Sequence, residues 1–315
     1  MKEPIFLSPI FQERIWGGTK LKTEFNYPIE SDLTGECWAV SAHPNGQSTV
    51  KNGQHKGKTL GSLWKNNREL FGNLEGDTFP LLTKILDANN DLSVQVHPND
   101  EYANKYENGE LGKTECWYVI AAEEGAEIIF GHNATTKEEL VRMIKHGEWN
   151  DLLRRVKVKA GDFFYVPSGT IHALCAGVLI LETQQSSDTT YRVYDYDRVD
   201  KSGQKRELHI EKSIDVTTVP HEGVATTPST QQIEGAAITT YVQSEFFSVY
   251  KWDINGRASF TQEKPFLIGS VLEGEGEIIS EEGTYRFNKG DHFILPADFG
   301  SFEIKGNAQF IVSHP

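Results

Sequence analysis

Cysteine is scarce in this chain: three residues, Cys37, Cys116 and Cys175, in 315. An odd number without C-x-x-C spacing disfavours a disulfide framework, and all three are expected to be reduced and packed as small apolar side chains. Positive charge is also short, with 31 Lys and Arg against 45 Asp and Glu, a net charge of -14 and a pI near 5.2. That balance repels nucleic acid and anionic membrane, so neither is expected as a partner, and an anionic substrate would need a local gathering of cations. Long hydrophobic runs are missing too. The opening Met1-Lys2-Glu3-Pro4-Ile5-Phe6 lacks the apolar core of a signal peptide and no later run approaches a membrane span, so the expected location is cytoplasmic.

Short strand-like runs rich in Val, Ile, Thr, Phe and Tyr, broken by Gly and Pro, predict a mainly β protein with a few inserted helices. The clearest are Glu36 to Val40, Glu115 to Ala121, Phe163 to Val166, Val178 to Thr183, Phe247 to Trp252 and Phe293 to Leu295. One helix is expected over Thr59 to Leu70, and a second opens at Thr136 with a capping-box pattern that has Glu139 at N3. Residues 216–234, rich in Thr, Pro, Ser and Gln, read as a linker or long loop. They divide the chain into an N-terminal unit, 1–215, and a C-terminal unit, 235–315.

A weak repeat ties the units together. Ala160-Gly161-Asp162-Phe163-Phe164-Tyr165-Val166-Pro167 parallels Lys289-Gly290-Asp291-His292-Phe293-Ile294-Leu295-Pro296, each a tight Gly-Asp turn, a short strand and a terminating Pro. Counting forward from each Gly-Asp, the position of His172 in the first copy is Ser301 in the second, so a ligand-bearing site is expected only in the first. Leu272-Glu273-Gly274-Glu275-Gly276-Glu277-Ile278 reads as a glycine-bearing turn, and its glutamates as solvated charges.

The segment Leu92-Ser93-Val94-Gln95-Val96-His97 carries the strongest chemical signal. On a strand, Leu92, Val94 and Val96 would share one face and Ser93, Gln95 and His97 the other. Glu115 and His172 lie downstream, and together they would complete a nitrogen and oxygen ligand set for a metal. A lone His beside Pro is more often a surface or core residue, and the other eight histidines take that reading: His43, His55, His132, His146, His221, His292, His314 and His209, the last being the least secure.

The paired Gly-Asp units, with Pro167-Ser168-Gly169-Thr170-Ile171-His172 after the first, resemble the cupin family of small β-barrels. Gln95-Val96-His97 replaces the usual His-x-His of that family, and Glu115 comes late. That departure, with Trp16-Gly17-Gly18, Gly35-Glu36-Cys37-Trp38, Pro80-Leu81-Leu82-Thr83-Lys84, Ser187-Asp188-Thr189-Thr190-Tyr191-Arg192 and Glu207-Leu208-His209 in order, resembles the type I mannose-6-phosphate isomerases in their compact bacterial form. The resemblance implies two cupin-type (jelly-roll) β-barrel units and one zinc ion per chain held by Gln95, His97, Glu115 and His172. It implies conversion of mannose 6-phosphate to fructose 6-phosphate through a cis-enediol, with Arg192 catalytic and Ser93, Lys84 and Arg198 on the phosphate. The base is left open between Glu182 and Lys113. Rival readings are a cupin isomerase for another hexose phosphate, and a sugar-binding or regulatory cupin without catalysis.

Overall fold

The computed structural model describes residues 3–199 and 202–315. Three antiparallel sheets dominate. A six-stranded sheet runs Phe163–Val166, Glu115–Ala122, Val178–Gln185, Leu81–Ala88, Thr34–Val40, Ile10–Gly18. A five-stranded sheet runs Tyr191–Tyr194, Val94–Val96, His172–Leu174, Glu127–His132, Leu153–Lys157. These two face each other over a shared apolar layer that includes Leu86, Trp117, Val119 and Ile180 from the first and Ile128 and Leu174 from the second. The outcome is the cupin-type, mainly β architecture expected, built as facing sheets rather than one continuously bonded cylinder.

Alternation along the strands sorts the side chains. Glu115, Trp117 and Val119 point into the space between the sheets, while Cys116 and Tyr118 join a second core on the far side with Leu179 and Leu181. That second core packs the six-stranded sheet against a nine-stranded one containing the long strands Ser248–Gln262, Leu267–Ser280 and Gly300–His314. The N-terminal strand Ile5–Ser8 belongs to this sheet, pairing Ile5 with Ile294, and Thr49–Val50 extends it. The sheets are therefore not divided at residues 216–234.

The Gly-Asp repeat is physical. Gly161 and Gly290 both turn at positive φ, and the carboxylates of Asp162 and Asp291 accept from the backbone N–H of Lys159 and Asn288, each at 2.9 Å. The three cysteines are free and buried.

Four local expectations change. The helix beginning at Thr59 stops at Asn66, and a 3-10 turn, Arg68–Phe71, follows, swinging Phe71 against Trp64 and Phe79. Within 216–234, Ser229–Ile233 is an exposed edge strand held by backbone pairing to Ala236–Gln243. Gly274 to Ile278 lie within the strand Leu267–Ser280 rather than a turn; a Cβ on Gly276 would stand 2.2 Å from the Lys305 carbonyl oxygen, so glycine permits the close strand approach. Finally, regular pairing begins at Val94, and Leu92 does not join Val94 and Val96: it packs with Trp16 and Trp117 between the sheets.

Candidate metal and substrate site

Strand register assembles the site. Gln95 is opposite His172 on one side and Arg192 on the other. On the facing sheet, Lys84, Glu182 and Trp117 sit opposite one another across three neighbouring strands, with Trp38 beyond Lys84. Glu115, two residues before Trp117, projects from the same face.

His97, Glu115 and His172 converge, with one ligand atom from each lying within 4.8 Å of the others, and all three are buried. His97 Nε2 is 3.5 Å from Glu115 Oε2 and His172 Nε2 is 3.3 Å from Glu115 Oε1. The other ring nitrogens face carbonyls: His97 Nδ1 that of Thr189 at 2.9 Å, His172 Nδ1 that of Thr170 at 2.8 Å. Donation there places the proton on Nδ1 and leaves each Nε2 lone pair aimed at the centre. Burial, then Lys113 and His172, holds His97 well below the ordinary histidine range; burial takes His172 down to about 4. Both imidazoles are thus neutral near pH 7. His97 Nε2 and Glu115 Oε2 are buried without a hydrogen-bond partner. The Lys113 ammonium lies 3.3 Å from Glu115 Oε2, but His97 Nε2 faces that carboxylate with no proton to share, an arrangement that is costly unless a cation lies between them, so the donor set fits a metal ion. Gln95 Nε2 stands 3.3 Å from His172 Nε2, and rotating that amide by half a turn offers Oε1 to the same point.

A cavity of about 480 Å³ lies beside this cluster, lined by Ser93, Gln95, Lys84, Lys113, Glu182 and Arg192 among others, a size suited to a small molecule. Trp117 Nε1 donates to both Glu115 Oε1 and Glu182 Oε2 at 3.1 Å each. Burial and then Glu115 raise the Glu182 carboxyl above the usual carboxylate range. Burial pushes Lys113 down, but Glu115, at 3.3 Å, with Glu182 and Asp188 more than offsets it, so the ammonium holds its proton more tightly than usual. Lys84 Nζ sits 4.8 Å over the Trp38 ring and 3.8 Å from Glu182 Oε1. Glu36 accepts from Arg14 twice at 3.0 Å and from Trp38 Nε1 at 2.6 Å. A larger hollow of about 660 Å³ on the C-terminal sheet has no such buried, converging groups; its Arg286 pairs with Glu277 at 3.8 Å.

Nine of the ten expected site residues meet here, and Arg198 does not line the cavity. Its guanidinium bonds Asp195 Oδ1 at 2.5 Å and the Asp91 carbonyl, and lies 5.1 Å over Tyr196. Arg206 lines the cavity instead, as does His209, whose Nδ1 accepts from Arg192 N at 3.1 Å. Sequence reasoning also gave no role to Trp117, although its spacing of two from Glu115 places it on the same strand face.

A family model described as the catalytic domain of phosphomannose isomerase type I matches residues 5–120, and one for the cupin domain of mannose-6-phosphate isomerase matches 237–315. The mannose-6-phosphate isomerase ManA of Bacillus subtilis is 63% identical over 99% of both chains. The chain belongs to the type I phosphomannose isomerase family. Another relative within it, the mannose-6-phosphate isomerase of Streptococcus mutans, is 57% identical over 100% of this chain and 99% of its own. The crystal structure of a Bacillus subtilis mannose 6-phosphate isomerase superposes with a TM-score of 0.98 at 60% identity, covering 99% of each chain. Phosphomannose isomerase from Salmonella typhimurium, at 16% identity and TM-score 0.79, shares the fold. Type I phosphomannose isomerases are metalloenzymes, and among the described residues of this member His97, Glu115 and His172 form the one such cluster found.

Proposed function

We propose that the chain is a zinc-dependent mannose-6-phosphate isomerase of the cytoplasm, interconverting mannose 6-phosphate and fructose 6-phosphate through a cis-enediol, with chemistry confined to the N-terminal unit. The observation that carries this reading is the convergence of buried His97, Glu115 and His172, with His97 Nε2 lacking any hydrogen-bond partner, beside a cation-lined cavity in a member of this family. Gln95, His97, Glu115 and His172 would hold the ion, and two imidazoles with oxygen donors suit zinc. When bound, zinc supplies a Lewis acid that draws electron density from the substrate carbonyl oxygen.

The side chains divide the remaining work. Glu182 is the better candidate for the base, since its raised pKa brings it nearer neutrality, whereas Lys113 keeps its proton and serves as a donor to developing negative charge. Arg192, permanently charged and opposite Gln95, stabilises charge on the substrate oxygens as the proton moves between neighbouring carbons. Ser93 and Lys84 contact the bound sugar phosphate from the cavity wall.

The test is activity on mannose 6-phosphate before and after chelation, with zinc then added back. Loss and recovery are expected; full activity in demetallated protein would defeat the metal assignment. Solvent deuterium in the product would support proton transfer through the enediol, and its complete absence would favour a hydride shift or a shielded transfer. Clear preference for glucose 6-phosphate would overturn the substrate assignment, and binding without turnover would favour a sugar-binding cupin.

A further inference from the structure

Lys113 is carried by a segment that no sheet pairing holds. Residues 111–114 lie outside any helix or strand, yet Gly112, Lys113 and Thr114 are buried, so their backbone polar groups need partners within the protein. Gln185 and the chain just after His97 supply them. Gln185, the last residue of the strand Val178–Gln185, grips Thr114 twice: its side-chain Oε1 accepts from Thr114 N at 2.9 Å, and its backbone N–H donates to the Thr114 carbonyl at 3.1 Å. The other end of the same amide, Nε2, donates to the Asp100 carboxylate at 3.0 and 3.2 Å. Asp100 Oδ1 in turn accepts from Gly112 N at 2.7 Å, and Lys113 N donates to the Pro98 carbonyl at 3.0 Å. A Cβ on Gly112 would stand 2.4 Å from Asp100 N, so the two segments press together with no room for a side chain. Gln185 itself is 7% exposed and does not line the cavity.

We infer that Gln185, backed by Asp100, is the positioning residue that fixes Lys113 and Glu115 against the His97 segment, and so sets both the geometry of the metal donors and the placement of the Lys113 ammonium. The inference rests on the metal and isomerase reading above and names what holds its parts in register. Only one orientation of the amide fits, because the Thr114 N–H needs an acceptor and the Asp100 carboxylate a donor. The charge on Asp100 strengthens its share of the clamp. Thr114 stands between Lys113 and Glu115, whose charged groups are 3.3 Å apart, so a shift of its peptide moves both. It reaches the third ligand as well: Thr114 Oγ1 accepts from Ser168 N at 3.2 Å, in the turn whose Thr170 carbonyl faces His172 Nδ1. Outer partners of this kind hold ligands in the orientation a metal needs. Gln185 acts through Thr114 and touches neither ion nor sugar.

The experiment uses the full chain and reads zinc affinity by chelator competition, the visible spectrum of the cobalt(II)-loaded form, and steady-state kinetics on mannose 6-phosphate. Gln185→Met keeps the length of the side chain and removes both polar ends. It is expected to weaken zinc binding and lower kcat, each by about 10- to 100-fold, to alter the cobalt spectrum, and to change KM less. Gln185→Glu keeps the acceptor for Thr114 N but sets a second carboxylate against Asp100, and should do comparable damage. Adding Asp100→Asn to Gln185→Glu restores the pattern in reverse: the new amide at position 100 donates to the new carboxylate at position 185 and still accepts from Gly112 N. That pair should recover most of the lost zinc affinity, spectrum and kcat, a rescue that bulk or general stability does not supply. Urea unfolding of chelated protein checks that each variant is folded; if Gln185→Met is not, Gln185→Glu against the double variant decides. Wild-type zinc affinity and cobalt spectrum in Gln185→Met, or a double variant no better than Gln185→Glu, would overturn the inference. Zinc and cobalt are read without substrate, which keeps the two readings apart. Weakened zinc in Gln185→Met, beside a wild-type chain that does not turn over mannose 6-phosphate, refutes the isomerase assignment alone, whereas turnover with zinc affinity indifferent to Gln185 refutes only the positioning role.

Discussion

Replacing Trp117 with Phe removes a single N–H that serves two buried carboxylates, and the structure gives the scale of the effect. The indole nitrogen lies 3.1 Å from Glu115 Oε1 and from Glu182 Oε2, and the ring is 2% exposed. A hydrogen bond to a charged group contributes about 1.5–3 kcal/mol, and the shared donor counts once. Trimming indole to phenyl removes roughly two methylene equivalents of buried surface, about 1.5 kcal/mol at ~0.8 kcal/mol each. The expected loss is therefore about 3–4.5 kcal/mol, read by urea unfolding of chelated protein so that metal binding does not add to it. A double-mutant cycle with Glu182→Gln isolates the bridge, and a coupling of about 0.5–3 kcal/mol is expected. In steady-state assays the acid limb of the pH profile should move up, because the lost donor favoured ionised Glu182. Additivity of the two substitutions, or a total loss under about 1 kcal/mol, would refute the bridging role.

Other outcomes follow from the same geometry. His172→Ala should abolish the thermal stabilisation that added zinc gives the wild-type chain, a shift equivalent to about 2.7 kcal/mol at a hundredfold excess over the dissociation constant; an equal zinc-induced rise in Tm would contradict the ligand assignment. Glu182 binds its proton more tightly folded than unfolded, so it makes chelated protein lose stability as pH rises from the unfolded value near ~4.3 through the raised folded value. Glu182→Gln should remove that slope, and urea unfolding compared at both ends of the window checks it; an unchanged slope counts against the assignment. Thr136→Ala, which deletes the side-chain acceptor for Glu139 N at 3.2 Å, should cost about 1 kcal/mol of thermal stability while leaving kcat alone.

The convergence of His97, Glu115 and His172, a cluster that could hold a metal, was legible because its signals are local. Alternation put Gln95 and His97 on one face, and the Gly-Asp turns fixed the strand that leads to His172. The second capping residue shows the limit: Glu139 does fold back, but onto the N–H and hydroxyl of Thr135 rather than the Thr136 N–H. Arg198 and Arg206 could not be told apart from the sequence, since which guanidinium reaches a cavity depends on how both share Asp195. Ser229–Ile233 escaped detection for a different reason. Its side chains are almost all exposed, so backbone pairing rather than an apolar period makes it a strand. Leu92 fell on the wrong face because the alternation holds only from Val94, where regular pairing begins, two residues after Leu92.

The pairing of Ile5 with Ile294 sets an order on assembly. The first strand leaves the ribosome early, yet the edge it completes is made about 290 residues later, some 15–60 s at ordinary elongation rates of about 5–20 residues per second. Through that interval Ile5 and Leu7, both destined for the core beneath the catalytic sheet, have only the Thr49–Val50 strand and the early-made part of that core to cover them. The strand Ile5–Ser8 thus spends that interval with one edge open to chaperones and to mispairing, and deleting the last strands would leave the catalytic half with an uncovered face.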